Sequence, residues 1–104
     1  MNRLKDKNTL FKVDQGKLNT AAEIMRALAH PLRMNILEFI DKNKVINVNK
    51  IYNTLSLEQS ITSQHLKILR QAGLVLTTRE GKFIYYSLNY KAIEQAVTVI
   101  NKYL

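Results

Sequence analysis

The chain has 104 residues, 46% of them hydrophobic and 23% charged. These are values of one folded domain rather than a disordered chain. It holds no cysteine and only two histidines, His30 and His65, which excludes disulfides, thiolate metal sites, iron–sulfur ligation and a cysteine nucleophile, and argues against a His-rich zinc site. Lys and Arg number 16 against 8 Asp and Glu, a net charge of +8, and that excess points to a polyanionic partner.

Residues 1–15 carry Arg3, Lys5, Lys7 and Lys12 against Asp6 and Asp14, with apolar residues in no firm period. They are expected to form an N-terminal arm or short helix ahead of a domain spanning 16–104. No apolar run approaches the roughly 20 residues of a bilayer span, and the polar start holds no secretory signal, so a cytoplasmic location is expected.

From about residue 16 to 29, Leu18, Ala21, Ala22, Met25, Leu28 and Ala29 recur at helical spacing. Thr20 with Glu23 fits a capping box, an alternative start for this helix. His30-Pro31 ends it, because a residue before proline is biased away from helical angles, and Pro31 then suits the first position of a second helix. That helix carries Leu32, Ile36, Leu37, Phe39 and Ile40 and ends near Asp41, with 42–44 as a loop. Residues 48–55 read as a short third helix through Val48, Ile51, Tyr52 and Leu55, and 56–58 as a tight connection. A fourth helix over 59–72 turns Leu66, Leu69 and Ala72 inward, with Gly73 closing it in a left-handed conformation. Residues 74–79 and 82–88 are β-branched and aromatic, with Glu80-Gly81 as a hairpin tip. Asn89 can cap a last helix with Ile93, Ala96, Val97, Ile100 and Leu104 on one face. Four helices, a hairpin and a helix make a mainly α chain with a small β-hairpin. Two short helices joined by a few residues and followed by a hairpin are the winged helix-turn-helix plan.

The fourth helix shows Gln59, Ser60, Ser63, Gln64 and Lys67 opposite its inward face. Amides pair bidentately with adenine in the major groove, and hydroxyls serve several base edges or phosphates. A recognition helix reads with its N-terminal half, where these residues lie, and its positive dipole end faces phosphates. A solvated face with capping serines is the plainer alternative. Over residues 42–91, eight basic residues oppose only Glu58 and Glu80. Arg79 and Lys82 flank the wing tip, where backbone or minor-groove contact is expected; a scattered basic surface is the rival reading there.

The runs AEIMRALAHPLRMNILEFI, SQHLKILRQAGLV and REGKFIYYSL resemble the ArsR/SmtB family of bacterial transcriptional repressors, over roughly 21–104. The resemblance implies a symmetric homodimer that binds double-stranded DNA at an inverted-repeat operator, with the first and last helices as the interface. It implies Gln59, Ser60, Ser63 and Gln64 as readers, with Arg79 and Lys82 in the wing. The stripes at the two chain ends also suggest a two-fold interface, through Leu18, Ala22 and Met25 and through Ile93, Val97, Ile100 and Leu104, with Tyr103 near the seam. Packing within one monomer is the simpler alternative.

The departures from the family pattern are specific. Where many metal-sensing members carry a Cys-Val-Cys type motif, this chain has Asn47-Val48-Asn49, and amides bind soft metals poorly. Where others place Asp and His ligands on the last helix, this one reads Tyr90-Lys91-Ala92-Ile93-Glu94-Gln95. No metal site and no cofactor are expected, and the releasing effector is expected to be neither a metal nor a thiol oxidant. At Ile61-Thr62 the usual order of a small or polar residue followed by a branched apolar one is exchanged. Thr62 is expected to pack through its methyl, leaving Ile61 partly exposed and able to touch a thymine methyl. His30 is expected to cap the second helix, and His65 to be half-buried and hydrogen-bonded within the helix-turn-helix. Tyr85 and Tyr86 point to opposite faces of their strand, one of them into the core.

Two rival functions share these features: an RNA-binding or architectural winged-helix protein without an operator, and a winged-helix protein-interaction module. An enzyme is not expected, since paired carboxylates in context, a glycine-rich phosphate loop and a nucleophile–base couple are missing from the sequence.

Overall fold

The computed structural model describes residues 14–103. Residues 1–13 of the arm expected over 1–15, the seam role of Leu104 and the side chain of Tyr103 lie outside the described positions.

Asp14 accepts the Lys17 amide at 3.1 Å and starts helix α1, Gln15–Leu28. An aspartate there satisfies one of the first-turn amides that a helix leaves orphaned. Helix α1 thus takes in Gln15, the last residue of the expected arm. Thr20 is not the start; its hydroxyl donates back to the Gly16 carbonyl at 2.9 Å from inside the helix, a bond open to a mid-helix threonine. His30 breaks the chain direction with extended angles, and its Nδ1 accepts the Leu32 amide at 3.1 Å. Pro31 opens helix α2, Pro31–Asn43, as the His-Pro pair implies. The helix runs past the expected end near Asp41, and the Asn43 side-chain amide donates to the Phe39 carbonyl at 2.8 Å.

The stretch after α2 holds a strand that the sequence does not announce. β1, Val45–Asn47, pairs antiparallel with a later strand, Ile46 facing Tyr86. Three residues are too short to display a two-residue period, and the partner lies far along the chain. The expected hairpin is therefore part of a three-stranded sheet. Asn47 then caps helix α3, Val48–Thr54, by accepting the Lys50 amide at 2.9 Å.

The turn of the helix-turn-helix follows. Ser56 takes a left-handed φ of 55°. Its amide donates to Asn53 O at 3.3 Å, and that of Leu57 to Tyr52 O at 2.8 Å. This is a Schellman closure, with a serine where glycine is the usual choice. Helix α4, Gln59–Gln71, ends in a second such closure at Gly73 (φ 76°), with Leu74 N donating to Leu69 O at 3.0 Å.

β2 (Val75–Glu80) and β3 (Phe83–Leu88) form the wing, and the sheet order is β1-β3-β2. Gly81 (φ 61°) holds the first of the two tip positions, where a primed hairpin turn calls for glycine. Asn89 joins the wing to the last helix, α5, Tyr90–Tyr103. It donates to Gly73 O at 3.0 Å and accepts the Ala92 amide at 3.2 Å, so it caps α5 while holding the end of α4.

Ile36, Ile40, Ile51, Leu66, Leu69 and Leu74 are fully buried and form the core where α2, α3 and α4 meet the sheet. Tyr86 packs against that core. This places the inner face of α4 on a rigid support and leaves its outer face in solvent.

Candidate nucleic-acid interface

Helix α4 buries Thr62, Leu66 and Leu69. Gln59, Ser60, Ser63, Gln64 and Lys67 are all exposed, as the sequence reading placed them. Gln64 and Lys67, three residues apart, are neighbours on one face, with Ser60 one turn before Gln64. The Ser60 hydroxyl donates to the Glu58 carboxylate at 2.6 Å. Glu58 stands at the N-cap of α4 without a side-chain capping bond, so it sets a negative charge at the end that was read as facing phosphates.

The wing tip carries Arg79 and Lys82, both exposed. Arg79 Nε donates to Gly81 O at 3.3 Å, which braces the tip, and Lys82 Nζ lies 5.6 Å from the Phe83 ring centroid. Both cations remain open to an anionic partner.

Behind α4 lies a polar cluster that the sequence reading did not include. Arg33 is buried on α2. Its Nε donates to Ala27 O at 2.8 Å and its Nη2 to Arg26 O at 2.8 Å. Its Nη1 faces His65 Nδ1 on α4 at 3.2 Å. The rings of His30 and His65 stand 4.7 Å apart. Burial, then the nearby His30 and Arg33, hold the His65 pKa below its usual value. The sequence signal was present: Arg33 precedes Ile36, Leu37 and Ile40 by three, four and seven positions, which puts a cation on the apolar stripe of α2. The His30 reading as a cap holds, and His65 is half-buried and hydrogen-bonded as expected, but its partner Arg33 lies on α2 rather than within the helix-turn-helix.

The asparagines in place of the thiolates have local duties. Asn47 caps α3, and Asn49 Oδ1 accepts from the Tyr52 hydroxyl at 3.0 Å. Among the described residues no three His, Cys, Asp or Glu side chains gather where they could hold a metal ion, and no helix is long and apolar enough to cross a membrane.

Helix α5 has two apolar sides, and the described α5 residues expected in a two-fold seam, Ile93, Val97 and Ile100, share one of them, whereas Met25 of α1 faces the other. Ala92, Ala96 and Val99 face Ala21, Ile24 and Met25 of α1 across a cleft of about 180 Å³. Ile93, Val97 and Ile100 face Leu28, Met34 and Leu37 across a wider one of about 470 Å³. Leu18, Met25, Val97 and Val99 stay exposed, and Ala22 is half-buried on α1. Tyr90 ties the start of α5 to α2, its hydroxyl donating to Asp41 at 2.7 Å. That bond and Lys44 hold the Asp41 carboxyl below its ordinary pKa.

A helix-turn-helix whose second helix turns amides and hydroxyls outward, followed by a basic β-hairpin, defines the winged helix DNA-binding proteins. Residues 30–77 match the family model described as "Bacterial regulatory protein, arsR family". The chain is 38% identical over 91 residues to the transcriptional repressor PagR of Bacillus anthracis, covering 86% of this chain and 90% of that one. The crystal structure of PagR superposes with a TM-score of 0.68 over 84% of this chain and 99% of that chain, at 34% identity. NolR from Sinorhizobium fredii superposes with a TM-score of 0.68 at 32% identity, covering 86% and 89% of the two chains. The transcriptional activator HlyU of Vibrio cholerae is 30% identical over 82 residues, 79% of this chain and 75% of that one. The chain belongs to the ArsR/SmtB family of winged helix-turn-helix regulators, and it is a DNA-binding transcriptional regulator.

Proposed function

We propose that the chain acts as a homodimeric repressor of an inverted-repeat operator. Residues 16–104 supply both DNA binding and dimerisation, and the protein works in the cytoplasm. The observation that carries this is the division of α4: its back is locked into the core through Leu66 and Leu69, and its front presents Gln59, Ser60, Ser63, Gln64 and Lys67 to solvent. A helix so held enters a major groove as a rigid body. Two such helices related by a two-fold meet successive grooves about one helical turn apart. Arg79 and Lys82 then lie along the flanking backbone. The exposed apolar residues of α1 and α5, among them Leu18, Met25 and Val97, pair with a second copy. Repression rather than activation is taken from the likeness to PagR. Bound dimer excludes polymerase, and an effector that is neither a metal nor a thiol oxidant releases it by favouring a conformation with poorer helix spacing.

Selection of bound sequences from a random duplex pool, followed by footprinting, tests this reading. A protected palindrome is expected. In the selected duplex Gln64→Ala relaxes base choice at one position of each half-site, whereas Lys82→Ala weakens operator and random DNA alike and lowers the salt slope. Diffuse protection, or equal losses on both DNAs from both variants, contradicts the proposal.

A further inference from the structure

One residue on the outer side of α4 differs in chemistry from its polar neighbours. Ile61 is 42% exposed, while Thr62 beside it is fully buried, its hydroxyl donating to Glu58 O at 2.8 Å. The core position in this first turn is thus filled by a threonine methyl with its hydroxyl satisfied locally. The larger aliphatic side chain faces water, and its β-branch lowers helix propensity slightly. Folding gains less from this order than from an aliphatic residue in the buried position. A single exposed aliphatic residue is ordinary on a protein surface, but the place of this one is not arbitrary. It lies in the first turn of the helix, where a groove-docked recognition helix meets base edges. It is also three residues before Gln64, hence its neighbour on the helix surface.

An isoleucine side chain offers no hydrogen bond to a phosphate or to a base edge. The major groove displays one group complementary to it, the C5-methyl of thymine. We infer that Ile61 is a specificity-determining residue that reads a thymine methyl in each operator half-site, beside the base pair met by Gln64. This rests on the reading of α4 as the groove-entering helix. Ile68, seven residues on and 37% exposed, lies on the same line of the helix but two turns away from the reading end, and it takes no part.

The test uses the full chain and a duplex selected by it from a random pool. Each thymine is replaced in turn by deoxyuridine, which removes only the methyl. At one symmetry-related position the replacement is expected to weaken wild-type binding by about fourfold per half-site, the value of one buried methyl-sized group. The variant Ile61→Ala still binds the duplex but loses that sensitivity, and Ile68→Ala keeps it. Thermal melts of both variants, each a surface substitution, confirm that they fold. A duplex in which no uracil position weakens the wild type, or one whose sensitivity Ile61→Ala leaves unchanged, overturns the inference while the groove reading stands. Failure to select any duplex overturns the groove reading and this inference together.

Discussion

Arg33 of α2 and His65 of α4, thirty-two positions apart in the chain, meet with Nη1 3.2 Å from Nδ1. The guanidinium cannot accept, so His65 Nδ1 accepts and the ring proton sits on Nε2. The other two nitrogens of the contact end at Ala27 O and Arg26 O in the last turn of α1. There a cation also complements the negative end of the helix dipole. One buried side chain therefore fixes helices α1 and α4 in relation to each other.

Removing that side chain leaves two helix-end carbonyls and a ring nitrogen without their donor. Arg33→Ala is expected to destabilise the fold by about 2–4 kcal/mol, the cost of unmaking charge-assisted buried hydrogen bonds. Arg33→Lys restores little, because an ammonium on a flexible stem cannot reproduce a planar three-way fork. Urea unfolding followed by circular dichroism measures both; a loss below 1 kcal/mol for the alanine variant, within the range of an ordinary surface change, contradicts this account.

The same contact makes stability depend on pH. His65 has its folded pKa held below the unfolded value of 6.5 by burial and by the neighbouring His30 and Arg33, which its ring faces directly. The neutral ring therefore contributes stability that is fully present above about pH 6.5 and is lost as pH falls through the depressed folded value. The melting temperature should drop on acidification from pH 7.5 to 5.5, and His65→Gln should flatten that slope. Parallel slopes for the two proteins would sink the idea.

Ser56 holds a left-handed conformation at the turn between α3 and α4. A residue with a Cβ is disfavoured there by about 1–2 kcal/mol, part of which glycine returns as unfolded-chain entropy. Ser56→Gly is expected to stabilise the domain by about 1 kcal/mol, read as a rise in the urea midpoint at unchanged slope. A fall in the midpoint would show that the serine side chain contributes more than its backbone strain costs.

Val97 is exposed on α5, on the side that faces Leu28, Met34 and Leu37. If α5 is covered by a second copy, Val97→Asp buries an unpaired carboxylate in the seam. It is expected to weaken dimerisation by about a hundredfold or more while leaving helix content unchanged. Sedimentation equilibrium reads the association and circular dichroism the fold. An unaltered dimer would place the interface elsewhere.

What the sequence determined was what neighbours along the chain decide. The helix break at His30-Pro31, the closure at Gly73 and the cap at Asn89 each depend on a few adjacent residues and are found where their chemistry puts them, while the hairpin tip falls at Gly81-Lys82, one residue on from the expected Glu80-Gly81, because Glu80 still pairs with Phe83. The exposure of Ser60, Ser63, Gln64 and Lys67 on the outer face of α4 follows from helical period alone. Tertiary structure decided the rest. It turned Val45–Asn47 into a strand by pairing it with β3, and it gave Arg33 its partners on α1 and α4. It also divided the apolar residues of α5 between two clefts. These features depend on groups brought together from distant parts of the chain. A short strand has no stability outside its sheet, and a buried cation is tolerated only where acceptors converge on it.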